Sequence, residues 1–382
     1  MWMVFLLTWG LIVGTQCAAT VTSHQLQMEA NAILNSGWWN TSNASFNISD
    51  RCNWYFISCN DAGSIKAINI WGNELATRNL STFNLSTFHN LERFVVSYVG
   101  LQGTVPKEIG HLSKLTHLDL SHNYLKGQLP PSIDNLRQLN YLDISFNFIQ
   151  GSIPPELWLL NNLTFLDLSN NSFKGEIPSS LGNLKQLENL DNSSNYIQGS
   201  IPLGLGFLKT LTRLDLSHNR FKGKIPPSLG NVKQLEELDI YNNYIQGSIP
   251  RELGFLKNLT RLSLSHNRFK GEIPSSLGNL KQLLWLNISH NNIQGSIPLE
   301  LGFLNNLSSL DLSHNRLNGI LPIFLTNLTQ LEYLDISYNF LIGSLPYNFD
   351  QLTKLQVLML NNNSFRGTFP NSLTKSLSIR NP

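Results

Sequence analysis

The chain of 382 residues is 41% hydrophobic and only 14% charged, and its formal net charge is +2. That apolar content supports a continuous core and excludes a disordered chain, while a charge so near zero argues against nucleic acid or a strongly acidic partner. Solubility must rest on Asn, Ser, Gln, Thr and attached sugar.

Residues 1–19 open with an apolar run, Met1 to Gly14, that gives way to Thr15-Gln-Cys-Ala-Ala19. This is the pattern of a secretory signal peptide with small residues near a cleavage point. No Lys or Arg precedes the run, which leaves an uncleaved anchor as the alternative. The run is shorter, however, than the roughly 20 apolar residues a spanning helix needs. Residues 20–64 are expected to form an N-terminal cap. Gln27 to Trp39 have helical apolar spacing, Asn40 to Asp50 make a polar loop, and Cys52-Asn-Trp-Tyr-Phe-Ile-Ser-Cys59 follows. With Cys17 in or beside the signal peptide, Cys52 and Cys59 most simply pair with each other in an oxidising compartment. Two free thiols are the alternative, and a zinc site lacks further His or Cys at ligand spacing.

Ile65 to Ile70 reads as a first, degenerate strand, and an irregular unit carrying Asn79 and Asn84 precedes Leu91, where a regular array begins. From Asn123 to Asn363 an asparagine then recurs every 24 residues, with Gly127 to Gly367 and Pro130 to Pro370 in step. A strict period of that length marks a solenoid, here about thirteen units over residues 65–378. The leucines of L-x-x-L-x-L point inward from a short strand. The asparagine follows the strand, where its amide can satisfy inward-facing backbone groups as the chain turns. Gly and Ile-Pro or Leu-Pro then permit a second extended stretch on the flank. A period of 48 overlies the first: Asn195-Tyr-Ile-Gln-Gly-Ser-Ile-Pro recurs at Asn243, and Ser217-His-Asn-Arg-Phe-Lys-Gly recurs at Ser265. Residues 379–382 are expected to be a truncated end without a C-terminal cap, and an open parallel edge invites pairing.

The unit L-x-x-L-x-L-S-x-N-x-x-x-G-x-I-P-x-x-x-G-x-L-x-x resembles the plant-specific class of leucine-rich repeats, and Leu259 to Asn279 match it nearly throughout. The fold this implies is an α/β-type solenoid, a horseshoe with a parallel concave sheet. Glu29-Ala-Asn-Ala-Ile-Leu, Ser36-Gly-Trp-Trp39 and the Cys52 to Cys59 segment look like the cap of plant receptor kinases, most similar to the MDIS-interacting receptor-like kinase group. The resemblance implies an extracellular or cell-surface glycoprotein that binds a peptide or partner ectodomain, with a co-receptor, in signalling or defence. Such receptors also carry a membrane span and a kinase. These 382 residues contain no Gly-rich phosphate loop, no H-R-D and no D-F-G, so no enzyme activity is expected of them. The runner-up is a secreted inhibitor of microbial wall-degrading hydrolases, a class normally pinned by cysteines at both ends. The reading calls for no cofactor, no metal and no nucleic acid. Membrane attachment would run through a C-terminal segment or an uncleaved N-terminal anchor.

Two solvent-facing columns of strand positions follow from the period. One holds consensus acids, Asp119 to Asp239 in steps of 24, and reads as a generic hydrophilic face. The other departs from consensus, running Arg93, His117, Tyr141, Phe165, Asn189, Arg213, Glu237, Arg261, Trp285, Ser309, Tyr333, Val357. Arg213 and Arg261 lie two strands apart, about 10 Å. With Glu237 between them, they are candidate holders of a peptide carboxylate. Trp285, Tyr333 and Tyr338 are the candidate aromatic patch beside them. The blander reading is that the arginines neutralise the Asp row. His266, His290 and His314 share a third column, which is repeat consensus or else a metal-binding or pH-sensitive cluster. Candidate N-glycosylation sites are Asn40, Asn43, Asn47, Asn79, Asn84, Asn162, Asn170, Asn192, Asn258, Asn287, Asn306, Asn327 and Asn362.

Overall fold

The computed structural model of the chain describes residues 22–39, 48–72 and 78–367. The expected signal peptide, residues 379–382 and the sites Asn40, Asn43 and Asn47 lie outside them. Thirteen strands running in the same direction, from Ile65–Trp71 to Val357–Met359, form one sheet in chain order, and Ile57–Cys59 joins its start antiparallel. Partners across the regular strands are 24 residues apart, as in Arg213 beside Glu237 and Glu237 beside Arg261. Short 3-10 turns such as Ser179–Asn183, Leu203–Phe207 and Pro227–Asn231 stack on one another elsewhere in each unit. The flank carries two further parallel sheets of six strands each.

One unit shows why the stack holds. Leu211, Leu214, Leu216, Phe221, Ile225, Leu229 and Val232 are all at most 2% exposed, so strand, flank and turn meet in one continuous core. Burying a side chain of this size contributes about 1.5–3 kcal/mol. The asparagine closes the polar accounts. In that unit the Asn219 amide donates to the carbonyls of Asn192, Leu216 and Ser217 at 2.8, 3.4 and 3.1 Å, and its Oδ1 accepts the Ile197 N–H at 2.9 Å. One buried side chain thus ties each repeat to the one before it. The consensus glycines serve packing as well as turning: a Cβ on Gly206 would lie 2.6 Å from the Ser228 carbonyl of the next turn. Gly204 and Gly206 belong to that wall and are buried in it.

The acidic column is more than a hydrophilic face, because its carboxylates hold the backbone. Asp215 Oδ1 accepts the Ser217 N–H at 2.9 Å, Asp119 takes both the N–H and the hydroxyl of Ser121, and Asn287 does the same for Ser289. The row is therefore a set of turn caps at the strand ends. One step further on, every unit from Tyr98 to Asn362 places a non-glycine residue at φ between 51 and 57°. Asn and His tolerate that left-handed conformation; Tyr98, Phe146 and Tyr338 adopt it because the stack holds them there.

At the N-terminus the helix Ser23–Asn35, capped by Thr22, lays Ala30 and Ile33 against the first units. Its Glu29 is fully buried and accepts from the Ser64 hydroxyl at 2.5 Å and the Ile65 N–H at 2.9 Å, which fixes where the first strand begins. Trp38 stacks on Phe83, and Phe83 on Phe88 and Phe94. Cys52 and Cys59 are joined in a disulfide. Among the described residues no helix is long and apolar enough to cross a membrane.

Candidate recognition site

The side chains of alternate strand positions stand on the open face of the long sheet, and the register sets their neighbours. Arg213, Glu237 and Arg261 occupy three adjacent strands. Arg213 Nη1 lies 3.4 Å from Glu237 Oε2, and Arg261 Nη2 lies 3.9 Å from Asp239. Glu237 therefore fills the gap between the two arginines that the sequence suggests for a ligand carboxylate. Of the pair, Arg261 is differently placed. Its guanidinium sits 4.0 Å from the centroid of the Trp285 ring on the next strand, a cation–π contact that leaves its remaining donors facing solvent. A groove of about 460 Å³ opens beside this pair, with Asp239, His266, His290 and Asp311 on its other sides.

The expected aromatic patch is not continuous. Trp285 and Tyr333 are separated by the strand of Ser309, whose small side chain leaves a gap between the rings. Tyr333 instead donates to Asp335 at 3.5 Å, and Tyr338 lies in the left-handed column, stacked on His314 at 4.1 Å. Burial, with Asp335 and Asp311 nearby, pushes the Tyr333 hydroxyl up to about 12.

His266, His290 and His314 stack face to face, 4.0 Å between successive rings, with Tyr338 continuing the ladder. Near-parallel rings aim their nitrogens along parallel lines, and among the described residues no group of three or more His, Cys, Asp or Glu is arranged to hold a metal ion. Burial and the two neighbouring imidazoles hold His290 down at about 4, so the middle of the ladder stays uncharged in mild acid. Two further ladders go beyond the sequence expectations. His117, Tyr141 and Phe165 stack at 4.0 and 4.4 Å, and Tyr98, His122 and Phe146 at 3.8 and 4.1 Å. The signal for them is aromatic residues 24 apart, which a list of strand positions presents as separate side chains. Beside the first of these ladders, burial and the charges of Asp191 and Asp143 raise Asp167 to about 7.

Of the glycosylation candidates, Asn79, Asn84, Asn162, Asn258, Asn306, Asn327 and Asn362 are exposed, and Asn170 and Asn287 are half-buried. Asn192 is fully buried. It takes the place that Leu168 and Leu216 fill in the adjacent units, so a glycan there has no room.

Comparison with known proteins agrees with this architecture. The family model described as leucine-rich repeat region matches residues 146–273, and further leucine-rich-repeat models match 89–149, 282–304 and 305–365. The leucine-rich-repeat protein LIC12759 of Leptospira interrogans is 34% identical, with a TM-score of 0.64, over 77% of this chain and 75% of its own. The chain belongs to the leucine-rich-repeat family. Within it, the solved structures of plant receptor ectodomains are similar over more of the chain. PEPR1, in its structure with AtPEP1, is 32% identical with a TM-score of 0.86, over 92% of this chain and 51% of that one. The Arabidopsis receptor kinase HAESA, solved with the peptide hormone IDA and the co-receptor SERK1, is 30% identical with a TM-score of 0.73, over 94% of this chain and 65% of that one. The receptor-like serine/threonine-protein kinase RGI4 of Arabidopsis thaliana is 35% identical over 75 residues, 20% of this chain and 7% of the kinase. The chain thus spans about half the length of the PEPR1 chain and a small part of RGI4.

Proposed function

We propose that the chain is an extracellular or cell-surface recognition module of the plant receptor kind, binding a peptide or a partner ectodomain on the open face of the long sheet. The observation that carries this reading is the Arg261–Trp285 pair beside its groove, at a point where the column departs from repeat consensus. An exposed arginine backed by an indole offers an anion site and an apolar ledge together, the residue types that dominate binding energy at interfaces. Asp311, on the other side of the groove from Arg261 and Trp285, suits a cationic group, so a peptide with both charges is the expected ligand. The receptor relatives, HAESA with its peptide hormone and co-receptor among them, favour this reading over a hydrolase inhibitor. Membership of the MDIS-interacting group and glycosylation at the exposed sites are parts of the same proposal, resting on the leader residues and on accessibility.

Panning a displayed peptide library against the purified chain tests it. Peptides enriched on the wild type are expected to lose about thirtyfold or more in affinity for Arg261→Ala/Trp285→Ala, the equivalent of losing at least one hot spot of about 2 kcal/mol. Enriched peptides that bind wild type and double variant alike would place recognition elsewhere.

A further inference from the structure

The flank sheets carry a charge pattern that the net charge of +2 conceals. Lys174, Arg220, Lys222, Arg268, Lys270 and Arg316 are all exposed on them, against Glu176 and Glu272. Among the described residues none of these six cations forms an ion pair. The register interleaves them with neutral hydrogen-bonding side chains: Lys174 stands beside Tyr196, Arg220 beside Gln198, Lys222 beside Ser200 and Arg268 beside Gln246. Arg220 lies over the Tyr196 ring at 4.8 Å, and Arg268 repeats the contact over Tyr244 at 4.9 Å. These pairs are two repeats, about 10 Å, apart. A shallow groove lined by Lys174, Tyr196, Gln198 and Arg220 runs across the first of them.

We propose that this flank binds a linear carboxylated polysaccharide, a polyuronate, lying along the solenoid across successive repeats. The near-copies 48 residues apart present the Tyr–Arg site twice, at Tyr196–Arg220 and Tyr244–Arg268, with further exposed cations between and beyond them. A ligand that presents one group several times along a stiff chain engages them together, and gains through multivalency what each exposed cation contributes only weakly. A unique peptide sequence gains nothing from that redundancy. The interleaved Tyr, Gln and Ser positions have hydroxyl groups to meet on a sugar chain. On an acidic peptide they have none. This surface is separate from the Arg261–Trp285 groove, so either site can fail while the other stands.

The test titrates the purified chain with polygalacturonate and with polyglutamate of matched charge, at several salt concentrations. Polygalacturonate is expected to bind more tightly than polyglutamate, with an affinity that falls as salt rises. Arg220→Gln/Lys222→Gln/Lys270→Gln is expected to weaken it about tenfold with an unchanged melting curve, because all three side chains are exposed. Lys222→Arg/Lys270→Arg should retain it. The proposal is overturned if the triple variant binds polygalacturonate as well as wild type, or if polyglutamate binds as tightly as polygalacturonate.

Discussion

Single side chains in this fold are judged by whether the stack can satisfy them, and two asparagines show the contrast. Asn219 has every polar atom paired inside the repeat wall. Removing it in Asn219→Ala orphans several buried backbone groups at once, each costing roughly 1–3 kcal/mol, so a loss of about 3 kcal/mol or more is expected in urea unfolding. Asn192 is the opposite case. Its side-chain amide is fully buried, and neither its nitrogen nor its oxygen has a partner. Asn192→Leu restores the leucine that the neighbouring units carry there and should raise stability by about 1–3 kcal/mol. A lower urea midpoint for Asn192→Leu would mean that the core at this unit has closed around the smaller side chain.

Elements depend on their neighbours, which is clearest at the cap. The helix Ser23–Asn35 has no charged first or last turn, and its place is set by Glu29 reaching into the start of the first strand. Glu29→Ala leaves the buried Ser64 hydroxyl and the Ile65 N–H without their acceptor, in a place closed to solvent. Amide exchange should speed up about thirtyfold or more at Ile65 and across the cap, with little change at units near Leu310. Equal acceleration throughout would show that cap and array unfold as one, against the near-neighbour behaviour expected of a solenoid.

Across the whole molecule, the acids and the histidines of the open face respond to pH in opposite senses: Asp143, Asp167, Asp191, Asp239 and Asp335 are raised, whereas His117, His266 and His290 are lowered. Asp167 rises from its ordinary 3.8 to about 7, and Asp143 and Asp191 rise too, chiefly through burial. The stabilising contribution of Asp167 is fully present below 3.8 and is lost as pH climbs through 7, and those of Asp143 and Asp191 are lost in the same direction. His290 falls from 6.5 to about 4, so its contribution is present above 6.5 and is lost as pH drops through 4. The two effects offset each other between about 4 and 7. Asp167→Asn, which keeps an oxygen for the turn as Asn287 does in its own unit, should stabilise by at least about 1 kcal/mol at about pH 8 and little at about pH 4. Melting curves at the two pH values check this: an equal shift at both would place the Asp167 titration in its ordinary range.

The period alone determined a great deal: leucines at fixed steps specify which side chains point inward, and a repeat of 24 lets only one register place every leucine in the core. The columns of the open face, including Arg213, Glu237, Arg261 and Trp285, therefore follow from counting along the chain. What contacts what within a column does not. Side-chain reach and rotamer decided that Glu237 neutralises Arg213, that Arg261 turns to Trp285, and that Ser309 parts Trp285 from Tyr333. Nor could a count of charges show that cations gather on the flank sheets. A total is blind to direction, and only folding assigns each charge to a face.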